Sequence, residues 1–241
     1  MEKAVEKARA ANEGKNTNII VQLCKTKYPQ GGEKTLTDAA VGREIPSGGL
    51  PFQIGCIIQN VGTLKAISEA FRLGKPLIDR ALTLGGGACE KPVNIIAPIG
   101  TCIGDLIPSV IQLKPGVMKI ISGGPMMGQA LFTLDIPVTK SSSSITTFVE
   151  DEVEENPETP CIKCGRCIDV CPSFLVPVLM MDKALNDDTE GFEKLNGMEC
   201  VECGSCAYVC PAKRPLTQGF KYMRQAVAAK RRAEAAKKEG K

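Results

Sequence analysis

The sequence predicts a chain of three parts: an α/β layer, a small α+β unit and an α-helical domain rich in cysteine. Over the first 90 residues, short β-branched runs alternate with helical patterns, which is typical of an α/β layer. From Pro92 onwards, apolar segments are short and separated by Pro and Gly, as in a smaller mixed unit. Eight of the 12 cysteines then lie between Cys161 and Cys210.

The α/β part is expected to hold a mostly parallel sheet, because its strands and helices alternate along the chain. A helix near the start should end at Gly14, and β-branched runs mark the strands. The predicted elements, in order, are a helix over residues 1–13, strands over 18–23 and 54–60, a helix over 63–73 and a strand over 78–84.

The helix over residues 63–73 has a clear amphipathic pattern. Leu64, Ile67 and Phe71 recur three or four positions apart, which predicts one buried face. Gly74 follows as a typical stop signal.

A Gly-Gly turn between a predicted strand and a short helix lies within residues 25–34. Free backbone N–H groups at the start of a helix can receive an anion. Turns of this kind are also common as purely structural features. Both interpretations, a ligand contact and a structural turn, remain open on the residues alone.

The small α+β unit is expected over residues 91–140, followed by a linker over residues 141–160. Met126 and Met127 lie in a tight glycine-rich turn, where methionine fills gaps in a core. Four serines begin the linker, and residues 150–158 contain six acidic side chains. This composition predicts a flexible, solvated connection.

The cysteine-rich domain contains the pattern C-x2-C-x2-C-x3-C-P twice. This is the spacing of bacterial two-cluster ferredoxins, in which the fourth cysteine of each run ligates the other cluster. The predicted ligands of the first [4Fe–4S] cluster are Cys161, Cys164, Cys167 and Cys210. The predicted ligands of the second are Cys171, Cys200, Cys203 and Cys206.

Zinc is the competing interpretation, because paired C-x2-C motifs also build structural zinc sites. A zinc ribbon has no use for a third and fourth cysteine within the same short run. Disulfides are less favoured still, since the sequence shows no signal peptide and the cysteines crowd into one segment. The other cysteines share no ligand spacing and are expected to be small buried hydrophobes: Cys24, Cys56, Cys89 and Cys102.

Two helices are predicted around the cysteine runs. Residues 174–185 are apolar enough to cover one cluster, whereas residues 187–197 are polar and turn-like. Residues 217–239 predict a long helix on which Phe220, Met223 and Val227 form a short apolar face. The rest of that helix is basic and either faces solvent or binds an anionic lipid or acidic partner.

Composition excludes several function classes. The sequence has no histidine, which excludes Rieske centres, His-ligated haem and Ser-His or Cys-His nucleophiles. It also has no tryptophan. Aromatic residues are only 4% of the chain, so a stacking platform for nucleic acid is not indicated. No apolar run is long enough to span a bilayer.

The chain as a whole resembles the C subunits of Rnf (Rsx) complexes, the ion-translocating ferredoxin:NAD oxidoreductases of bacteria and archaea. The likeness covers nearly all of the sequence, and the amino-terminal portion of such subunits is expected to be missing from it. The segments that carry it are KTKYPQGGEKTL, GREIPSGGLP, QNVGT, GKPLIDR, ISGGPMMG and PVTKSSSSI, followed by the two cysteine runs and the Ala/Lys-rich tail.

The resemblance implies a fold for each segment. Residues 1–90 look like part of the FMN/NADH-binding domain of the complex I flavoprotein. The later segments look like an SLBB (soluble-ligand-binding β-grasp) domain over 91–140, an acidic linker over 141–160, a two-cluster ferredoxin-type domain over 161–216 and a basic helix or tail over 217–241.

It also implies cofactor contacts at the Gly-Gly turn. Glu33 occupies the position that lies beside the flavin in the complex I relative, and Gly31, Gly32 and Lys34 are weaker candidates for contacts with FMN or NADH. FMN binding is expected in the full-length protein. No acid–base catalytic residue is implied.

The implied function is that of a peripheral electron-transfer subunit on the cytoplasmic side of the cell membrane. Its expected partners are the other subunits of the complex and NAD(H), with membrane contact through those subunits or the basic tail. Two alternatives remain: a soluble flavin/iron–sulfur corrinoid reductase, and a ligand-binding module whose metal is structural.

Overall fold

The computed structural model describes residues 6–7, 10–11, 20–151 and 155–239. The chain forms two compact units, Met1–Ile58 and Gln59–Lys241. The helix predicted over residues 1–13 lies largely outside the described residues, as does the start of the strand predicted over 18–23.

The first unit contains helix α1 (Glu33–Val41) and a 3-10 turn (Pro51–Ile54). The strands predicted over residues 18–23 and 54–60 are wrong for the part of each run that the structure describes. Ile20 is 86% exposed and Ile57 is 80% exposed. A buried strand needs a paired neighbour and a covered face, and these described β-branched residues have neither.

Helix α2 (Val61–Leu73) begins the second unit and confirms the predicted element. Asn60 caps it by accepting a hydrogen bond from Gly62 N at 2.8 Å, and Gly74 ends it in the left-handed conformation. The predicted burial of its apolar face is wrong for this chain, because Phe71 remains 89% exposed and no residue of the helix is buried.

One five-stranded sheet follows, with strand order β2-β1-β5-β3-β4. Only β1 and β5 are parallel, and the other neighbours are antiparallel. The mostly parallel sheet expected from residues 1–90 is therefore wrong, since the strand after α2 pairs with the next segment of chain instead. The strands are β1 (Asp79–Gly85), β2 (Val93–Pro98), β3 (Lys119–Ser122), β4 (Gln129–Ala130) and β5 (Ser144–Phe148).

Helix α3 (Ile103–Val110) packs with the sheet around one apolar core. Alternate residues of β1 point into this core, as expected for a strand with one covered face. The sheet reaches beyond residues 91–140 at both ends, and β5 lies where a flexible linker was predicted. Its Ile145 is 1% exposed, so burial of alternate side chains outweighs the serine-rich start of this segment.

The cysteine-rich region is helical. Its elements are α4 (Arg166–Asp169), α5 (Pro177–Leu185), α6 (Thr189–Lys194), a 3-10 turn (Gly197–Glu199), α7 (Ser205–Tyr208) and α8 (Leu216–Glu239). Helix α8 packs against α5 and α6.

The long carboxyl-terminal helix and its apolar face are confirmed. Phe220, Met223 and Val227 are at most 1% exposed and share a core with Met180 and Phe192. The expectation that residues 187–197 form only a polar turn is wrong, because α6 lies there and buries Phe192. Its ring centroid is 6.2 Å from that of Phe220, so one aromatic side chain anchors an otherwise polar segment.

None of the helices in the described ranges is long and apolar enough to cross a membrane.

Candidate iron–sulfur centres

Two cavities in the helical region are each lined by four cysteines. The first pocket is lined by Cys161, Cys164, Cys167 and Cys210. The second pocket is lined by Cys171, Cys200, Cys203 and Cys206. The structure thus brings together the two sets that the sequence pattern predicts, each with one cysteine from the other run. Metal ligation by these thiols stays a prediction.

The two cysteine runs form a structural repeat. Cys161 and Cys200 stand 39 positions apart, and the same offset relates the unusual backbone angles that follow them. Residues with φ near +50° or +80° occur in equivalent pairs: Lys163 and Glu202, Gly165 and Gly204, Phe174 and Lys213. Residues other than glycine rarely adopt such backbone angles, so the two runs share the same uncommon backbone conformation.

The tight turns direct backbone N–H groups at cysteine sulfur. Lys163 N lies 3.4 Å from Cys161 Sγ, and Glu202 N lies 3.4 Å from Cys200 Sγ. In the second pocket Leu175 N also donates to Cys171 Sγ at 3.3 Å. Donors of this kind stabilise negative charge on thiolate ligands.

The two pockets differ in exposure. Cys161 and Cys164 are exposed, whereas Cys203 and Cys206 are buried. Burial raises the pKa of the Cys206 thiol to about 12, and it also raises the pKa of Cys200 and Cys167. These thiols hold their protons at neutral pH until a metal displaces them, so loading the pockets releases protons.

A turn from the sheet covers part of the second run. A Cβ placed on Gly204 would lie 2.7 Å from the Met126 carbonyl oxygen, so only glycine allows this approach. The equivalent Gly165 has no atom within 4 Å of its Cβ position. The methionine-bearing turn predicted as core packing therefore packs beside Cys203.

A cation also lies near the second pocket. Arg224 forms an ion pair with Glu202, and its charge favours the Cys200 thiolate, in opposition to burial. Its buried Nε has no hydrogen-bond partner among the described residues. A partly exposed cation beside four thiols suits a group that carries negative charge, as a thiolate-ligated iron–sulfur cluster does.

The cysteines of each pocket are spread around its wall. Within the described ranges, no three Cys, Asp or Glu side chains approach closely enough to hold one metal ion. Tetrahedral zinc draws its four thiolates tightly around one centre, whereas a cluster spreads them over several irons. Four cysteines per pocket, supplied by runs with the ferredoxin spacing, are the donor set of a [4Fe–4S] cluster.

Sequence reasoning missed Thr217, the Arg224–Glu202 pair and the contact of Gly204 with Met126. Aligning the two cysteine runs at their common offset reveals Thr217, because its counterpart is Val178. No sequence signal marks the other two, since they join segments that are far apart along the chain.

The predicted flavin-contact residues lie in the first unit at the amino terminus of α1. Gly31, Gly32, Glu33 and Lys34 share one turn there, and Glu33 is exposed. Thr35 Oγ1 donates to Pro29 O at 2.8 Å and braces the turn. Leu36 N donates to Gly32 O at 2.8 Å, which begins the hydrogen-bond ladder of α1.

Of the other four cysteines, Cys89 is confirmed as a buried hydrophobe within the sheet core. The remaining three are half-buried rather than buried: Cys24, Cys56 and Cys102.

Comparison with known families places these features in context. Residues 1–69 match the Nuo51 FMN-binding domain, and residues 152–232 match the 4Fe-4S dicluster domain. The C subunit of the proton-translocating ferredoxin:NAD(+) oxidoreductase complex of Clostridium ljungdahlii is 47% identical over 98% of this chain and 51% of its own length. Over most of its length the chain is similar to C subunits of ion-translocating oxidoreductase complexes.

Two further relatives give the same picture. The C subunit of the Na(+)-translocating ferredoxin:NAD(+) oxidoreductase complex of Acetobacterium woodii is 41% identical over 91% of this chain and 49% of its own length. The C subunit of the ion-translocating oxidoreductase complex of Rhodobacter capsulatus is 36% identical over 91% of this chain and 42% of its own length. The chain spans about half the length of these relatives or less.

The two matched domain families carry the cofactors that the sequence predicts, FMN and two [4Fe–4S] clusters. The predicted resemblance to C subunits of the Rnf type is confirmed.

Proposed function

We propose that this chain is a peripheral electron-transfer subunit of a membrane-bound complex that couples electron transfer between ferredoxin and NAD(H) to ion translocation. The observation that carries the proposal is the pair of four-cysteine pockets within a dicluster-type region. The relatives' names supply the ferredoxin, NAD(+) and translocation components.

When bound, the clusters carry single electrons, and a flavin exchanges these for the two electrons of a nicotinamide hydride. The chain's own residues position and insulate these groups. The turns at Lys163 and Glu202 direct backbone N–H groups at the sulfur atoms of the predicted ligands. The buried side chains of Met180 and Phe220 line the second pocket and exclude water from it. No proton transfer by a side chain is required.

The flavin end of the proposal rests on residues 31–34. The match of residues 1–69 to an FMN-binding family supports it, as does the position of these residues at the start of α1. NADH would meet the flavin in the same domain. A chimera that joins the unmatched half of the C. ljungdahlii relative to this chain tests the contact by FMN fluorescence quenching. Glu33→Gln should weaken FMN binding, whereas equal binding by both chimeras would contradict the role of Glu33.

We also propose that residues 79–148 form the SLBB-type unit. The support is a mixed five-stranded sheet with one helix, in which the first and last strands are the adjacent parallel pair. Such a unit would join the flavin domain to the cluster domain and offer a surface to other subunits. The expected site of the whole subunit is the cytoplasmic face of the cell membrane, held there by its partners or by the basic half of α8.

The first experiment is anaerobic purification of the 241-residue chain with iron and acid-labile sulfide counts. We expect about eight irons and eight sulfides per chain, and an EPR spectrum of two interacting clusters after dithionite reduction. Stoichiometric zinc without sulfide would overturn electron transfer and favour a binding module with structural metal.

The exchange of the fourth cysteine between runs has its own test. Cys210→Ser should leave the same EPR spectrum as Cys164→Ser, because both residues line the first pocket. Cys171→Ser should match Cys203→Ser, because both line the second. If Cys171→Ser instead matches Cys164→Ser, each run ligates its own cluster and the proposed ligand sets are wrong.

A further inference from the structure

The repeat of the two cysteine runs allows a comparison of the pockets position by position. Cys167 and Cys206 are equivalent, and each precedes by eleven positions a residue that lines the same pocket: Val178 in the first and Thr217 in the second. The backbone donors at Cys161 and Cys200 have the same length. The Thr217 hydroxyl is the side-chain difference at this pair of positions, whereas Leu175 N and Arg224 are separate influences on other cysteines of the second pocket.

The Thr217 hydroxyl lies against a predicted cluster ligand. Its Oγ1 is 4.0 Å from Cys206 Sγ, within hydrogen-bonding reach for sulfur. Once Cys206 ligates iron as a thiolate it has no proton, so the hydroxyl must be the donor. Val178 has two methyl groups at the corresponding place and can donate nothing from its side chain.

Burial strengthens the hydrogen bond between Thr217 and Cys206. Thr217 is 8% exposed and Cys206 is 9% exposed, so water does not compete for the hydroxyl. A hydrogen bond in such a dry setting is electrostatically stronger than one in water. Donors to ligand sulfur stabilise the more negative, reduced form of a cluster and so raise its reduction potential.

We propose that Thr217 is a tuning residue whose hydroxyl donates to the Cys206 thiolate and raises the reduction potential of the second cluster. At the equivalent place in the first pocket, Val178 offers Cys167 only its backbone N–H and no side-chain donor. The inference rests on the proposed function, because it requires that both pockets hold clusters. It deepens that function by naming one side chain that makes the reduction potentials of the two clusters differ. Such a difference drives electron transfer from one cluster to the other.

The test is a reciprocal exchange in the anaerobic 241-residue chain, followed by EPR-monitored redox titration. Thr217→Val, which preserves shape, should lower the midpoint potential of the second cluster by about 59 mV, a tenfold change in its one-electron reduction equilibrium. Val178→Thr should raise the potential of the first cluster. Spectra of Cys164→Ser and Cys203→Ser, each lacking one cluster, assign the signals.

Thr217→Ser is the conservative control and should keep the potential of the second cluster, because it keeps the hydroxyl. Equal potentials in the wild type and Thr217→Val, with full iron content, would overturn the proposal. So would equal shifts in Thr217→Val and Thr217→Ser. If Thr217→Val loses iron, the test rests on Val178→Thr. An unchanged midpoint potential of the first cluster in that variant would then contradict the proposal. Absence of clusters from the wild type would instead refute the proposed function itself.

Discussion

Asp188 shows how a single side chain orders the insertion between the cysteine runs. Its Oδ1 accepts a hydrogen bond from Gly191 N at 2.8 Å and caps α6. Its Oδ2 accepts from Lys183 Nζ at 2.9 Å, which ties α6 to α5. The Lys183 hydrogen bond, together with the bond from Gly191, lowers the pKa of Asp188 below its usual 3.8.

This lowered pKa predicts an acid-sensitive contribution to stability. A carboxyl whose pKa is lower in the folded state stabilises the fold above the unfolded pKa and loses that effect as pH falls. Asp188→Ala should therefore lower the melting temperature at pH 7, and its difference from the wild type should shrink below about pH 3.8. Thermal unfolding at pH 7, 5 and 3 checks this.

Asp188→Asn is the matched control, because its amide oxygen can still cap α6 but carries no charge. It should be less damaging than Asp188→Ala at pH 7. A loss in Asp188→Ala that is the same at every pH would contradict the electrostatic part of the explanation.

At the scale of the element, α8 divides into two functional halves. Its first half supplies Phe220, Met223 and Val227 to the core beside the second pocket. In its second half, Lys230 pairs with Glu190 and Arg231 pairs with Glu193, both on α6. Ion pairs of this exposure contribute little, so the stability of the helix comes from its buried half.

This division predicts unequal effects of two changes. Met223→Ala should lower the free energy of unfolding by about 2–5 kcal/mol, because it opens a cavity at a fully buried position. Removal of the residues after Arg232 should change that free energy by less than about 0.5 kcal/mol. Urea unfolding of both variants measures the difference, and equal losses would show that the outer half is also packed.

At the scale of the molecule, the sheet and the helical region meet at Gly204 and Met126. The contact places a turn of the sheet next to Cys203, so movement of that turn would disturb the second pocket before the first. Gly165, at the equivalent place in the first run, has φ +79° and open space around it. The repeat therefore provides a built-in control for the contact.

Alanine at the two glycines should separate backbone strain from steric clash. Gly165→Ala should cost about 1 kcal/mol for its left-handed conformation alone. Gly204→Ala has a similar φ of +81° and must also displace Met126, so it should cost roughly 2–3 kcal/mol. Chemical unfolding and the EPR signal of the second cluster provide the readouts. Equal losses of unfolding free energy in the two variants would mean that the turn at Met126 moves aside without an energetic cost.

The accuracy of sequence-based prediction differed between regions for physical reasons. The pairing of Cys171 and Cys210 with the opposite runs follows from local spacing, and the face of α8 follows from helical periodicity. The prediction of strands over residues 18–23 and 54–60 failed because β-branched runs form strands only where a neighbouring strand pairs with them. The prediction of a flexible linker over residues 141–160 failed at β5, because burial of Ile145 stabilises a strand there despite the serines that precede it.

The unequal exposure of the cysteines also sets the order in which the centres would be damaged by air. Because Cys161 and Cys164 are exposed whereas Cys203 and Cys206 are buried, oxygen and chelators should reach the first centre more readily than the second. Brief aeration should therefore remove iron in two stages, with a plateau at about half of the initial content. Protein handled in that way would retain a single, intact centre that can be studied without mutation.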